Sequence, residues 1–282
     1  MTKYNIGLYE KALPGGLSWE EKLQTAKELG YDYIEISIDE TDAKLARLEW
    51  TQNERQEMVG LMYKCGLPIR SMCLSGHRKY PLGSADPQVR ARGMEIMEKA
   101  IQLADDLGIR IIQLAGYDVY YEESTEETLK LFGKNLKKAA EMAAVKGIQL
   151  GFETMETPFM DTTEKAMKYV NMVDSPYLGV YPDIGNMTNA ALLYGKDVLK
   201  DMETGRGHIM AMHLKETVPG KYREIRFGTG HVDFEAAIGK ALQLGVRRFV
   251  TEMWYVGQDS WKDDIKEAIG MMRAILEEKI KD

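Results

Sequence analysis

The chain has 282 residues, a hydrophobic fraction of 44% and a formal net charge of −7. The hydrophobic fraction is sufficient for a substantial core, and the acidic balance argues against a general affinity for nucleic acids. No apolar run approaches the ~20 residues that a membrane-spanning helix needs, so no membrane association is expected. Because the two cysteines form no disulfide framework and the N-terminus lacks a signal-peptide core, the expected setting is reduced and cytoplasmic.

Predicted strands and helices alternate along the chain. Ser18 and Glu21 form a capping box that begins the first helix, and Thr51 caps the second. Apolar residues three and four apart predict a helix over 87–107. The predicted strands cover 4–9, 33–37, 69–74, 109–114, 147–152, 178–182, 209–212 and 248–251. Further helices are predicted over 123–146, from Asp161 or Thr162 to about 170, over a looser region at 187–205, over 234–243 and around 265–276.

Eight strand–helix units in a chain of this length predict a closed parallel (β/α)₈ barrel of the TIM type. No Gly-x-Gly-x-x-Gly motif follows the first strand, so an open dinucleotide-binding sheet is disfavoured. No linker, low-complexity tract or short repeat interrupts the alternation. We therefore predict a single domain that covers residues 1–282.

Four predicted strands end in a side chain that can bind a metal ion. The fifth strand ends at Glu153, the sixth at Asp183, the seventh at His213 and the eighth at Glu252. Active sites of such barrels are built at the C-terminal ends of the strands, so these side chains are expected to meet. Each alone has an ordinary explanation as a helix cap, a salt-bridge partner or a core histidine, and the prediction depends on their conjunction.

Three carboxylates in one place would repel one another, and at least one would tend to bind a proton. A divalent cation removes that repulsion. Three oxygen donors and one imidazole nitrogen favour Mn²⁺, Mg²⁺, Co²⁺ or Zn²⁺. The sequence therefore predicts one divalent metal ion, of undetermined identity, bound by Glu153, Asp183, His213 and Glu252.

Two of these predicted ligands are glutamates, which suggests a second role in proton transfer. A metal that chelates the carbonyl and neighbouring hydroxyl of a ketose acidifies the C–H bond at the hydroxyl-bearing carbon. Glu153 and Glu252, placed on opposite faces of that carbon, would exchange its proton through an enediolate. The product of such a two-carboxylate reaction is an epimer, whereas a single carboxylate would more naturally give exchange or isomerisation.

The segments at and after the predicted strands form long and specific motifs. They are Ile6–Pro14, Ile38–Asp42, Ser71–Ser75, Gln113–Tyr121, Tyr181–Asn186, Phe227–Phe234 and Thr251–Trp254. Together they resemble the L-ribulose-5-phosphate 3-epimerases (L-xylulose-5-phosphate 3-epimerases) of bacterial L-ascorbate and pentose breakdown, which belong to the xylose-isomerase-like barrels. The resemblance covers nearly the whole chain.

The resemblance implies a metal-dependent 3-epimerase that interconverts L-xylulose 5-phosphate and L-ribulose 5-phosphate. It implies the same four metal ligands and assigns proton transfer to Glu153 and Glu252. The free-sugar ketose 3-epimerases differ at one position, because they carry a histidine where this chain has Asn186. Substrate binding at Asn186 is therefore expected to differ from theirs.

A substrate phosphate needs cationic or N–H partners, and two loops offer them. Candidates in the third and seventh loops are His77, Arg78, Lys79, Lys215, Arg223 and Arg226. We predict that the substrate is bound by His77, Arg78, Asn186, Lys215 and Arg226. The alternative, basic side chains on a solvated loop, stays open at this stage.

Other functions also stay open. The same barrel and metal suit an aldose–ketose isomerase, a lyase acting on a sugar or inositol derivative, or a non-catalytic sugar-phosphate-binding protein. A three-zinc DNA-repair endonuclease is disfavoured by the presence of only four histidines. The aromatic segments Tyr117–Tyr121 and Trp254–Trp261 predict a homo-oligomer, specifically a dimer.

Overall fold

The structure, a computed structural model, describes residues 3–281. The strands are Asn5–Tyr9 (β1), Tyr33–Ile38 (β2), Ile69–Leu74 (β3), Ile111–Ala115 (β4), Gln149–Glu153 (β5), Leu178–Val180 (β6), Met212–Leu214 (β7) and Arg248–Thr251 (β8). The α-helices are Trp19–Glu28 (α1), Asp42–Leu45 (α2), Gln52–Cys65 (α3), Pro87–Leu107 (α4), Glu126–Val145 (α5), Thr163–Val173 (α6), Ile184–Tyr194 (α7), Val198–Thr204 (α8), Phe234–Gln243 (α9) and Trp261–Lys279 (α10). None of the helices within the described range is long and apolar enough to span a membrane.

The eight strands are parallel and follow the order β6-β5-β4-β3-β2-β1-β8-β7. The sheet curls until β6 meets the chain around β7, where isolated parallel bridges join Val180 to Ile209 and Asp183 to His213. The predicted (β/α)₈ barrel is confirmed. The seam between β6 and β7 is its least regular part, and it lies between two of the predicted ligands.

Helix ends follow the capping signals in the sequence. Ser18 and Thr51 each form a capping box, with Glu21 and Glu54 as the respective partners. Between the two caps proposed for α6, the structure selects Thr162, whose hydroxyl accepts from the backbone of the third helical residue. These caps satisfy backbone donors that the first helical turn leaves without partners.

Several predicted boundaries were wrong by a few residues, for identifiable reasons. Strand β4 begins at Ile111 instead of 109 because the N–H of Ile109 bonds to Ala104 O and completes the C-terminus of α4. Helix α5 begins at Glu126 because Thr125 is its cap. The loose region at 187–205 consists of two helices, α7 and α8. His213 lies inside β7 and does not follow it.

The apolar core has two parts. The larger lies between the sheet and the surrounding helices. The smaller fills the barrel interior and includes Tyr9, Tyr33 and Tyr181. Gly7 makes room for it, since a Cβ at that position would come within 2.4 Å of the Tyr33 ring. Above this apolar layer, towards the C-terminal ends of the strands, the interior becomes polar.

Candidate active site

The four predicted ligands meet at the C-terminal end of the barrel. Glu153 is the last residue of β5, Asp183 caps the N-terminus of α7, His213 lies in β7 and Glu252 follows β8. Each offers one ligand atom, and these atoms all lie within 4.8 Å of one another. All four side chains are buried. Residues separated by about a hundred positions in the chain therefore converge as the strand-end argument predicts.

The imidazole of His213 stands among the carboxylates. Its Nδ1 lies 3.2 Å from Glu252 Oε2, 3.8 Å from Glu153 Oε1 and 3.9 Å from Asp183 Oδ2. Within residues 3–281, Asp183 Oδ2 and Glu252 Oε2 are buried oxygens that accept no hydrogen bond. Buried polar atoms of this kind are rare in folded proteins. These oxygens form ion pairs but accept no hydrogen bond from the described residues, and converging carboxylate oxygens of this kind fit a cation.

Burial and neighbouring charges shift the pKa values of the three carboxyl groups in different directions. Burial, together with the charge of Glu252, raises the pKa of Glu153 above its ordinary value. Burial also raises the pKa of Asp183, although the charge of Lys215 opposes that rise. At Glu252 burial disfavours the ionised form, but the charges of Lys215 and His213 outweigh it and hold its pKa well below the usual range. A divalent cation would favour the ionised form of all three carboxyl groups.

A buried lysine adds one positive charge to the site. Lys215 Nζ lies 3.1 Å from Asp183 Oδ2 and 3.4 Å from Glu252 Oε2, and it donates to Asn186 Oδ1 at 2.7 Å. The amide of Asn186 is itself held by Thr154 O, which accepts from Nδ2 at 2.7 Å. Asn186 thus fixes the direction of the ammonium group.

A cavity opens next to the four ligands. It is lined by Tyr9, Lys11, Cys73, Ser75, Arg78, Glu153, Met155, Glu156, Asn186, Lys215, Arg223, Glu252 and Trp254. A larger groove of about 1080 Å³ lies at the opposite end of the barrel, but its lining lacks a cluster of ligand side chains. The smaller cavity is the candidate substrate site because carboxylates, cations and aromatic rings converge there.

The predicted substrate-binding residues do not all reach this cavity. Arg78, Asn186 and Lys215 line it. His77 is buried beside α4, where Nε2 lies 3.0 Å from Gly93 O, and burial lowers the pKa of its imidazole to about 4. Arg226 pairs with Glu267 and is 53% exposed at its side chain; it borders a neighbouring pocket.

Some residues of the site were not anticipated from the sequence. Lys11, paired with Asp39, and Glu156, paired with Arg223, line the cavity. Glu35 lies inside the barrel, with Oε1 2.6 Å from His213 Nε2. For Glu35 the sequence did offer one signal, namely a charged residue in the middle of a largely apolar barrel strand.

Comparison with known proteins places the chain among sugar-transforming barrels. Residues 23–275 match the family model of the xylose isomerase-like TIM barrel. The chain is 46% identical over 250 residues, 88% of its length and 87% of theirs, to the L-ribulose-5-phosphate 3-epimerases UlaE of Escherichia coli strain SMS-3-5 and of Escherichia fergusonii.

Solved structures share the fold. An L-ribulose 3-epimerase superposes with a TM-score of 0.80 at 21% identity, covering 99% of this chain and 96% of that one. A D-psicose 3-epimerase superposes with a TM-score of 0.80 at 16% identity, covering 96% of this chain and 99% of that one. At these identities the likeness establishes the architecture only.

Proposed function

We propose that this chain, which belongs to the L-ribulose-5-phosphate 3-epimerase family of xylose isomerase-like TIM barrels, is an epimerase of pentulose phosphates. Its proposed reaction interconverts L-ribulose 5-phosphate and L-xylulose 5-phosphate. The chain is an isomerase-class enzyme, a sugar 3-epimerase. Inversion at C3 converts one of these pentulose phosphates into the other, so the net chemistry is the removal and return of one proton. The observation that carries the proposal is the convergence of Glu153 and Glu252 on one buried cluster beside a cavity.

Glu153, Asp183, His213 and Glu252 would hold one divalent cation. The unpartnered oxygens of Asp183 and Glu252 support this assignment, and the donor set suits Mn²⁺, Co²⁺, Mg²⁺ or Zn²⁺. When bound, the cation supplies Lewis-acid polarisation of the ketose carbonyl, which acidifies the neighbouring C–H bond.

Glu153 and Glu252 act as the proton-transferring pair in this proposal. Glu153 is the last residue of β5 and Glu252 follows β8. Because β6 and β7 separate these strands around the barrel, the two carboxylates approach the substrate from different directions. One carboxylate takes the proton from C3 as the enediolate forms. The other, carrying a proton, returns it to the opposite face. Lys215, oriented by Asn186, adds positive charge beside the enediolate oxygens.

The phosphate group is proposed to bind at the cationic side of the cavity. Arg78 stacks over the Tyr120 ring at 4.8 Å and has a buried Nε without a hydrogen-bond acceptor in the described chain. Arg223 reaches the same cavity and lies 6.0 Å from the Trp254 ring. Two guanidinium groups suit a phosphate dianion, which accepts paired hydrogen bonds. A phosphate-binding role has less support for His77, which contacts Gly93 O beside α4, and for Arg226, which pairs with Glu267.

The reaction itself is tested by proton NMR of L-xylulose 5-phosphate in D₂O. We expect deuterium to enter at C3 while signals of the ribulose isomer appear. Deuterium at C1 together with an aldehyde or its hemiacetal would indicate an aldose–ketose isomerase. Tight binding without any exchange would indicate a binding protein and would overturn the proposal.

The phosphate site is tested by a pair of substitutions. Arg78→Met is expected to raise KM for the sugar phosphate at least tenfold, because it removes a charged partner. Arg226→Met should stay within about twofold of the parent, because exposed ion pairs contribute little. The reverse pattern would assign the phosphate to the neighbouring pocket that Arg226 borders. A dimeric state and a cytoplasmic location also stay predictions, and gel filtration tests the former.

A further inference from the structure

A buried glutamate lies inside the barrel next to the ligand cluster. Glu35, in the middle of β2, is 0% exposed. Its Oε2 accepts hydrogen bonds from Ser71 Oγ at 2.7 Å and from Tyr181 OH at 2.8 Å. Its Oε1 lies 2.6 Å from His213 Nε2. A buried carboxylate is costly unless it is well paired, and here three groups pair with it, from β3, from β7 and from the residue that follows β6.

The contact with Glu35 distinguishes the two nitrogen atoms of the His213 ring. Nε2 faces Glu35, while Nδ1 faces the three carboxylates at 3.2–3.9 Å. The Gln113 amide nitrogen lies 3.1 Å from Nδ1 and 3.2 Å from Nε2. A position equidistant from both nitrogens is over the ring face, outside the plane in which ring nitrogens form hydrogen bonds. Glu35 is therefore the in-plane partner of Nε2.

Glu35 also braces the weakest part of the barrel. Strand β2 lies across the barrel from β6 and β7, which are joined only by isolated bridges in the described sheet. Through Tyr181 the carboxylate holds the chain two residues before Asp183, and through Nε2 it holds His213. The two ligands on either side of the seam thus share one anchor.

We propose that Glu35 is a positioning residue for the metal centre: it holds His213 as the Nε2–H tautomer, so that the Nδ1 lone pair is directed at the cation. This inference rests on the proposed function, because it assumes that the four-residue cluster binds a metal ion. A carboxylate that accepts from the remote ring nitrogen orients a metal-bound histidine and strengthens its donor atom. The Tyr9 and Tyr181 rings, 6.1 Å and 5.0 Å from the imidazole centroid, flank it.

The experiment compares Co²⁺ affinity in the metal-free parent, Glu35→Gln, Glu35→Asp and Ser71→Ala, by calorimetric titration and by the visible absorption of bound Co²⁺. Glu35→Gln retains the volume but allows the amide to donate to Nε2, which favours the wrong tautomer. Glu35→Asp retains the charge but is one methylene too short. Both are expected to weaken Co²⁺ binding about 10–100-fold. Ser71→Ala removes a bond to the other oxygen and is expected to stay within about threefold.

Thermal unfolding of the metal-free variants separates positioning from mere support of the fold. A purely structural role for Glu35 predicts a lower Tm with unchanged Co²⁺ affinity in the folded protein, and that result would overturn the inference. Equal loss of affinity in Ser71→Ala would also overturn it, since the effect would then be general to the interior network. A parent protein that binds no divalent cation would instead refute the proposed metal centre.

Discussion

At the scale of single residues, the proposed site contains two glutamates assigned to the substrate and one assigned to a histidine. Glu153 and Glu252 line the cavity, whereas Glu35 lies beneath it and contacts His213. All three are buried, so burial alone does not distinguish their roles. The distinction comes from their surroundings. Glu153 and Glu252 border the cavity, whereas both oxygens of Glu35 are occupied by partners inside the barrel.

The proton-transfer roles are tested by Glu153→Gln and Glu252→Gln. Each amide keeps the shape of the side chain but cannot take a proton from C3, so we expect kcat to fall about 10²–10⁴-fold, the usual contribution of a general base. Glu156→Gln is the matched control, because Glu156 lines the same cavity but lies outside the ligand cluster. Rates near those of the parent in either test variant, with circular dichroism unchanged, would exclude the two-carboxylate mechanism.

His77 is expected to affect pH-dependent stability. Burial lowers its pKa to about 4, from an ordinary value of 6.5. Because the folded state resists protonation, the unfolded chain binds the extra proton first, and the stabilising contribution present above pH 6.5 is lost as pH falls towards 4. Between pH 7 and pH 5 this loss amounts to about 2 kcal/mol.

The test of His77 is urea unfolding at pH 7 and pH 5 for the parent and His77→Gln. The parent should lose about 2 kcal/mol more free energy of unfolding than the variant over that interval. Equal losses would show that His77 is protonated in the folded protein. KM for the sugar phosphate should be unchanged at pH 7, and a large rise would return His77 to the substrate site.

At the scale of secondary structure elements, the loop over 215–233 is organised by one buried carboxylate. Glu216 accepts from Gly228 N at 3.0 Å and from Val232 N at 3.2 Å. The loop is packed tightly around it, since a Cβ at Gly230 would lie 2.2 Å from Glu216 Oε1. Glu216 therefore holds the loop that brings Arg223 to the cavity.

Glu216→Ala is expected to loosen this loop. Three backbone donors, those of Thr217, Gly228 and Val232, lose their acceptor. We therefore expect KM for the sugar phosphate to rise about 5–20-fold through weaker charged contacts from Arg223. Thr229→Ala is the matched control on the same loop, because its hydroxyl donates to Arg226 O at an exposed turn. Limited proteolysis should cut the loop faster in Glu216→Ala alone, and an unchanged KM would show that the loop is held by other contacts.

The sequence was informative about the elements and less so about loop conformation. Helical period and capping signals located the helices, and apolar runs located the strands. Strand ends located Glu153, Asp183 and Glu252, because parallel strands of a barrel end on one face. The same logic says nothing of a loop such as 75–84. There, adjacent residues diverge, and His77 turns into the core while Arg78 faces the cavity. Glu35 was missed because a charged residue in a strand carries no sign of its partner.

At the scale of the whole molecule, the barrel brings together groups that no local segment contains. The four proposed ligands lie at the ends of β5 to β8, and the carboxylate proposed to brace them comes from β2, across the interior. The closed sheet fixes these positions, while the helices outside bury most of the apolar core. The confirmed fold therefore accounts for the site geometry, whereas the prediction of a single domain stays a prediction.

Metal removal is expected to change both activity and stability of the whole chain. Without a cation the three buried carboxyl groups repel one another and Lys215 offsets part of their charge, as the raised pKa values of Glu153 and Asp183 indicate. A cation present at 100 times its Kd would stabilise the folded state by about 2.7 kcal/mol. For a chain of this size that corresponds to a rise in Tm of about 5–10 °C.

The measurement is differential scanning calorimetry with parallel assays, before and after chelation and after readdition of Mn²⁺, Co²⁺ or Zn²⁺. We expect chelation to abolish epimerisation and to lower Tm, and at least one of these ions to restore both. Asp183→Asn removes one ligand charge, so its Tm should respond little to the ion. A chelated parent that retains both its rate and its Tm would show that neither depends on a metal ion, and Lys215 and His213 would then offset the charge of the cluster.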